Sequence, residues 1–141
     1  MNKEDVSRLV ISFSDTFGST NRSKQSELES QLRKAKSLPL FEGLFSVFLM
    51  QSSEHSFARQ QNAGVMLHRI KPKVKLKPFE MLRLCLPIWN VSVEELVFYF
   101  VEKCGKNEIE TVLNQFERSS LSARELDALK GMYYWFEKLE S

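Results

Sequence analysis

Two histidines, two cysteines, paired glutamates and a run of lysines are the residues in this 141-residue chain whose types and spacing bear on chemistry. His55 and His68 lie 13 positions apart, about 220° around a single helix, so they point to different sides. There is no H-E-x-x-H and no C-x-x-C, and a zinc site from His68, Cys85 and Cys104 would need a coincidence of tertiary structure. Buried packing is the expected role of both thiols. Acid–base catalysis by paired carboxylates needs a cleft that raises one pKa. Glu94/Glu95 and Glu108/Glu110 instead fall in the first turns of predicted helices, where they complement the helix dipole. Phosphate-cradling loops and nucleophile elbows are absent as local motifs, and five glycines at 18, 43, 64, 105 and 131 cannot build a glycine-rich loop. The residues therefore point away from an enzyme, a metal site or a cofactor.

What remains is surface. Arg69, Lys71, Lys73, Lys75 and Lys77 place five cations in nine residues, a pattern able to meet phosphates with a steep salt dependence. The aromatic interleaving that base stacking requires is missing there, so a solvated loop competes with that reading and nucleic acid is not the expected partner. Farther along, acids dominate. Residues 91–141 hold ten acids against six Lys/Arg, a net of −4, whereas residues 41–90 hold seven Lys/Arg against three acids, a net of +4. Glu94, Glu95, Glu102, Glu108 and Glu110 are expected to form an acidic stripe over the last three helices. Such a stripe would speed capture of a basic partner. Tyr133-Tyr134-Trp135-Phe136 cannot all face a core from one helix, so Tyr134 and Trp135 are pushed toward a rim, where aromatic residues serve as binding anchors. A second buried face is the competing reading for them, and Trp89 carries the same ambiguity.

The elements that must position these residues are helices. Val6, Leu9, Val10, Phe13 and Phe17 step by three and four, predicting a helix over 3–17 closed by the turn Gly18–Asn21. A weaker helix is predicted over 24–36. An almost wholly apolar helix follows over 39–51, with Pro39 in its first turn and Phe45 and Phe48 at the centre of the core. Ser52 or Ser53 is the expected cap of a helix over 54–70. Two prolines and alternating lysines make 71–77 an extended connection. Helices are then predicted over 78–86, 92–104, 107–118 and 122–139. Ser92-Val93-Glu94-Glu95 and Ser122-Ala123-Arg124-Glu125 both have the capping-box form, Gly105 closes the sixth helix, and Asn107 caps the seventh. Leu126, Leu129, Met132, Tyr133, Phe136 and Leu139 are the expected inner stripe of the eighth.

The class is all-α: seven to eight short helices in antiparallel pairs, as a HEAT-like or irregular bundle, in one domain spanning 1–141. Apolar residues at 43% and charged residues at 27% exclude disorder, and eleven Phe predict a Phe- and Leu-built core. Acids in Met1–Asp5, where a signal peptide would be basic, and an apolar stretch over 38–50 too short to span a bilayer predict a cytoplasmic protein without a membrane partner.

Phe57, Arg59, Ala63, Gly64, Leu67 and Ile70 form a pattern that resembles the inner helix of a HEAT or armadillo repeat, which implies an adaptor binding a helix or peptide in a concave groove. The size, the Phe-rich helices, the charge split and the lack of catalytic motifs together resemble the helical immunity proteins of bacterial contact-dependent growth inhibition systems. That resemblance implies a tight one-to-one complex with a toxin domain, often a nuclease, whose active site is covered. Immunity proteins to basic nucleases are usually acidic overall, and this chain is +2, so the expectation rests on the local acidic face. The alternatives are the HEAT-like adaptor and a phosphate- or nucleic-acid-binding module using Arg69–Lys77.

Overall fold

A computed structural model describes residues 1–51 and 54–140. They form eight α-helices and, among the described residues, no strand: α1 (Lys3–Phe17), α2 (Arg22–Leu32), α3 (Ser37–Phe48), α4 (Ser56–Ile70), α5 (Pro78–Cys85), α6 (Glu95–Cys104), α7 (Lys106–Glu117) and α8 (Ala123–Glu140). The chain is all-α, as its periodicity predicts. It divides into two compact units, Met1–Val74 with α1–α4 and Lys75–Ser141 with α5–α8.

In the first unit α3 packs against both α1 and α4. Leu40, Phe41, Leu44, Phe45, Val47 and Phe48 are all buried, so the most apolar helix is a core element. Gly43 lets α1 lie close. A methyl there would stand 2.6 Å from Val6 Cβ and 2.8 Å from the Lys3 carbonyl oxygen, inside any permitted contact. A buried polar cluster also crosses this unit. Asn62 Nδ2 donates to Ser14 Oγ and to the Gly18 carbonyl, each at 2.9 Å, and Gln25 Nε2 donates to Asn62 Oδ1 at 2.9 Å. Three helices thus share one satisfied network. Asp15 and Arg59 tie α1 to α4 outside the core, with Nε–Oδ1 at 2.9 Å and Nη2–Oδ2 at 2.7 Å.

Several boundaries differ from the predicted ones, each for a local reason. Asn2, not recognised in the sequence, makes a full capping box with Asp5 at the start of α1. Phe17, placed in the inner stripe of that helix, is 41% exposed and lies under the Lys24 ammonium. Asn21 Oδ1 accepts from the Lys24 N–H, so α2 begins earlier than expected. It also ends earlier, because the Lys34 and Ala35 N–H groups turn back to the Gln31 and Leu32 carbonyls. The proposed caps at Ser52 and Ser53 lie outside the described residues.

In the second unit the predicted box at Ser122 is present: Glu125 N–H donates to Ser122 Oγ at 3.1 Å and Ser122 N–H to Glu125 Oε1 at 3.0 Å. The box at Ser92 does not form. Asn90 Oδ1 takes both the Ser92 N–H, at 2.9 Å, and its hydroxyl, at 2.6 Å, and α6 starts only at Glu95. Asn107 is not a cap either. Gly105, at φ 92, ends α6 through its N–H to the Val101 carbonyl and opens α7 by accepting from Ile109. A side chain at that φ would be strained, which is why glycine joins the two helices.

Candidate functional site

The site is built on α8, which presents two apolar sides. Leu129, Met132 and Phe136 pack inward as expected. A second row, Arg124–Ala128–Gly131–Trp135, repeats at steps of four, three and four, and holds the chain just before α6. Arg124 Nη2 donates to the Trp89 carbonyl at 2.8 Å and Trp135 Nε1 to the Val91 carbonyl at 2.6 Å. Trp89 Nε1 donates to the Val93 carbonyl at 2.9 Å. Three alternate carbonyls of an irregular segment are therefore held by side chains. Gly131 provides the room: a methyl there would meet Val91 Cγ1 at 2.8 Å and the Trp89 ring at 3.1 Å. Trp89 is fully buried, which decides its role as core. Because α8 turns this second row toward 89–93, Leu126 is left 43% exposed and is not part of the inner stripe.

An aromatic patch results. Trp135 is half-buried, with its ring edge-on to Phe98 at 6.2 Å and to Tyr134 at 4.9 Å between centroids. Tyr134 is 52% exposed and Val91 43% exposed, the first beside Trp135 and the second bound to it through its carbonyl. Lys138 lies 5.2 Å from the Tyr134 ring centre.

The acidic residues divide around α8. Glu94, Glu95 and Glu102 are spaced to share the α6 face that carries Phe98. Glu108 and Glu110 are exposed on α7. Tyr133 points that way, its hydroxyl 2.6 Å from Asn114 Oδ1, and burial followed by the charges of Glu117 and Glu110 pushes its pKa up. Tyr133 and Trp135 lie about 200° apart on their helix, so the α7 acids belong to the opposite side from the ring patch.

The nucleophile and metal candidates are placed as follows. Cys85 is buried and its pKa is raised by desolvation; Cys104 is pushed up to about 11 by burial and then by Glu108. Neither is a thiolate near neutral pH. Among the described residues no three His, Cys, Asp or Glu side chains gather as a metal would require, and no helix is long and apolar enough to cross a membrane.

The lysine segment over 71–77 is neither helix nor strand; Lys71, Lys73, Lys75 and Lys77 are exposed, Pro72 is buried, and Val74 and Leu76 are half-buried. Arg69 is exposed at the end of α4 and lies 3.6 Å from Glu29. Lys75 and Lys77 fall in the second unit, Arg69, Lys71 and Lys73 in the first. Phe57 of the repeat-like pattern is 47% exposed, while Ala63, Gly64 and Leu67 are buried.

No protein family, curated protein sequence or solved structure matches the chain.

Proposed function

We propose that this chain is a non-catalytic binding protein of the cytoplasm, whose second unit meets a protein partner through the patch around Tyr134. The single observation that carries the reading is Tyr134 standing 52% exposed among ordered rings, on a helix fixed from two sides. An aromatic side chain held on a rigid element buries much area at small entropic cost, the usual character of an interface anchor. The acidic balance of the second unit, with ten acids against six Lys/Arg over residues 91–141, supports a basic surface as the complementary partner. With the resemblance to helical immunity proteins, this supports a toxin domain, such as a nuclease with a basic substrate groove, as the protein bound and neutralised by coverage of its active site.

The test is titration of the purified protein against the toxin domain of a toxin gene found beside its own, with the toxin's activity followed in parallel. A one-to-one complex that abolishes the activity is expected. Absence of a complex, or a complex that leaves the toxin active, contradicts the immunity reading.

A further inference from the structure

Each of the two units carries an interior of its own. In the first, α3 lies against both α1 and α4, and Val10, Leu32, Leu44, Phe48 and Leu67 are fully buried. Among the described residues its buried polar side chains are Ser14, Gln25, Gln60 and Asn62, and all four find partners inside it. Ser14 Oγ donates to the Val10 carbonyl at 2.7 Å and Gln60 Nε2 to the Phe48 carbonyl at 3.2 Å, while Asn62 holds Gln25 and Ser14 together. In the second unit α6, α7 and α8 pack on one another and α5 packs on α7. Leu86, Trp89, Leu96, Phe100 and Phe116 are fully buried there. Arg83 and Glu125 pair α5 with α8, and the bonds from Arg124 and Trp135 fix the chain before α6.

The boundary between the units has the composition of a joint. It falls between Val74 and Lys75, inside the segment that is neither helix nor strand. Lys73, Lys75 and Lys77 are exposed, and Pro78 opens α5. Exposed stretches rich in proline and polar residues are where domain boundaries fall. Each unit is also longer than the roughly 60 residues at which many domains fold unaided.

We infer that the two units are separate cooperative folding units, so that one can unfold while the other keeps its native structure. Cooperativity comes from shared burial. Loss of α3 would uncover α1 and α4 and open the Asn62 cluster to water, so the first unit goes as a whole. Loss of α8 would do the same to α6 and α7. The rings of the aromatic patch, Phe98, Tyr134 and Trp135, all belong to the second unit, so the patch outlasts unfolding of the first.

The full chain carries the reporters for the experiment. Trp89 and Trp135 are its two tryptophans and both lie in the second unit. Tryptophan fluorescence therefore follows that unit alone, while far-UV circular dichroism follows the helices of both. Urea unfolding is recorded with both probes for the parent protein, Phe48→Ala and Phe116→Ala. Phe48→Ala is expected to lower the first unit's dichroism transition by at least about 1 M and to leave the fluorescence midpoint in place. Phe116→Ala is expected to lower the fluorescence midpoint and to leave the first unit's transition in place. Should Phe48→Ala unfold the first unit without urea, the helical signal of α1–α4 is missing at the outset and the fluorescence curve is still unchanged. A fluorescence midpoint that moves together with the dichroism in Phe48→Ala, as one coincident transition, overturns the inference and makes the chain a single cooperative domain.

Discussion

The indole N–H of Trp135 donates to the Val91 carbonyl at 2.6 Å, and this bond joins the most aromatic helix of the chain to its least regular segment. It occupies the polar end of Trp135 inside the protein and leaves the ring edge and Tyr134 outside. Trp135 is therefore a support for the patch more than its contact point. Trp135→Phe keeps a ring and removes the donor. It is expected to lower stability by about 0.5–1.5 kcal/mol, the net worth of one hydrogen bond whose carbonyl water can reach, measured by urea unfolding.

Gly131 tests the same packing through a sign. In an exposed helix Gly→Ala stabilises by about 1 kcal/mol. Here the new methyl would stand 2.8 Å from Val91 Cγ1, so Gly131→Ala is expected to destabilise, with a lower urea midpoint. A raised midpoint would show that the 89–93 segment is not held as described.

The first unit rests on Phe48 and Asn62, which differ in kind. Phe48 is fully buried, and Phe48→Ala is expected to cost about 3–5 kcal/mol, as is Phe45→Ala. Asn62→Ala leaves Gln25, Ser14 and the Gly18 carbonyl without their shared partner and is expected to cost about 2–3 kcal/mol. Chemical denaturation of each variant checks both.

These two residues also mark what was legible in the sequence. Phe45 and Phe48 belong to a helix-period apolar run, and periodicity reports burial directly. Asn62 sits between Gln61 and Ala63 with nothing in its neighbourhood to announce a buried network. Its partners are 37 and 48 positions away, and only tertiary structure brings them together. The same holds for α8. Its inner stripe was readable at Leu129, Met132 and Phe136, with Tyr133 and Leu139 only half-buried and Leu126 exposed, but the second row ending in Trp135 was not, because it faces an irregular segment and contains a glycine and an arginine. At Ser92 the box pattern was correct in form and lost to Asn90, a nearer competitor for the same hydroxyl. Exposure of Tyr134 and burial of Trp89 both follow from that second row, so the character of the patch was open until the structure was known.

Acid should expose two of the cross-helix ion pairs, Asp15–Arg59 and Glu125–Arg83. Arg59 holds the Asp15 carboxyl below its ordinary 3.8, and the Ser122 N–H followed by Arg83 holds Glu125 below 4.5. Carboxyls depressed by folding contribute stability that is complete above their unfolded values and is lost as pH falls through the folded ones. Asp15→Asn and Glu125→Gln are each expected to lower the melting temperature at pH 7 and to converge with the parent protein in strong acid. A difference that persists unchanged at about pH 2 would assign the effect to packing instead of charge.

The most direct test of the proposed function compares Tyr134→Ala with the parent protein in two measurements, affinity for the toxin domain and thermal stability. Tyr134 is half in solvent and lies outside the buried rows of α8, so the melting temperature should barely move. Affinity is expected to fall at least about tenfold, more than 1.4 kcal/mol, mainly through faster dissociation. Glu94→Lys with Glu95→Lys should act mostly on the association rate. Full affinity in Tyr134→Ala, with the fold intact, would contradict the assignment of this face.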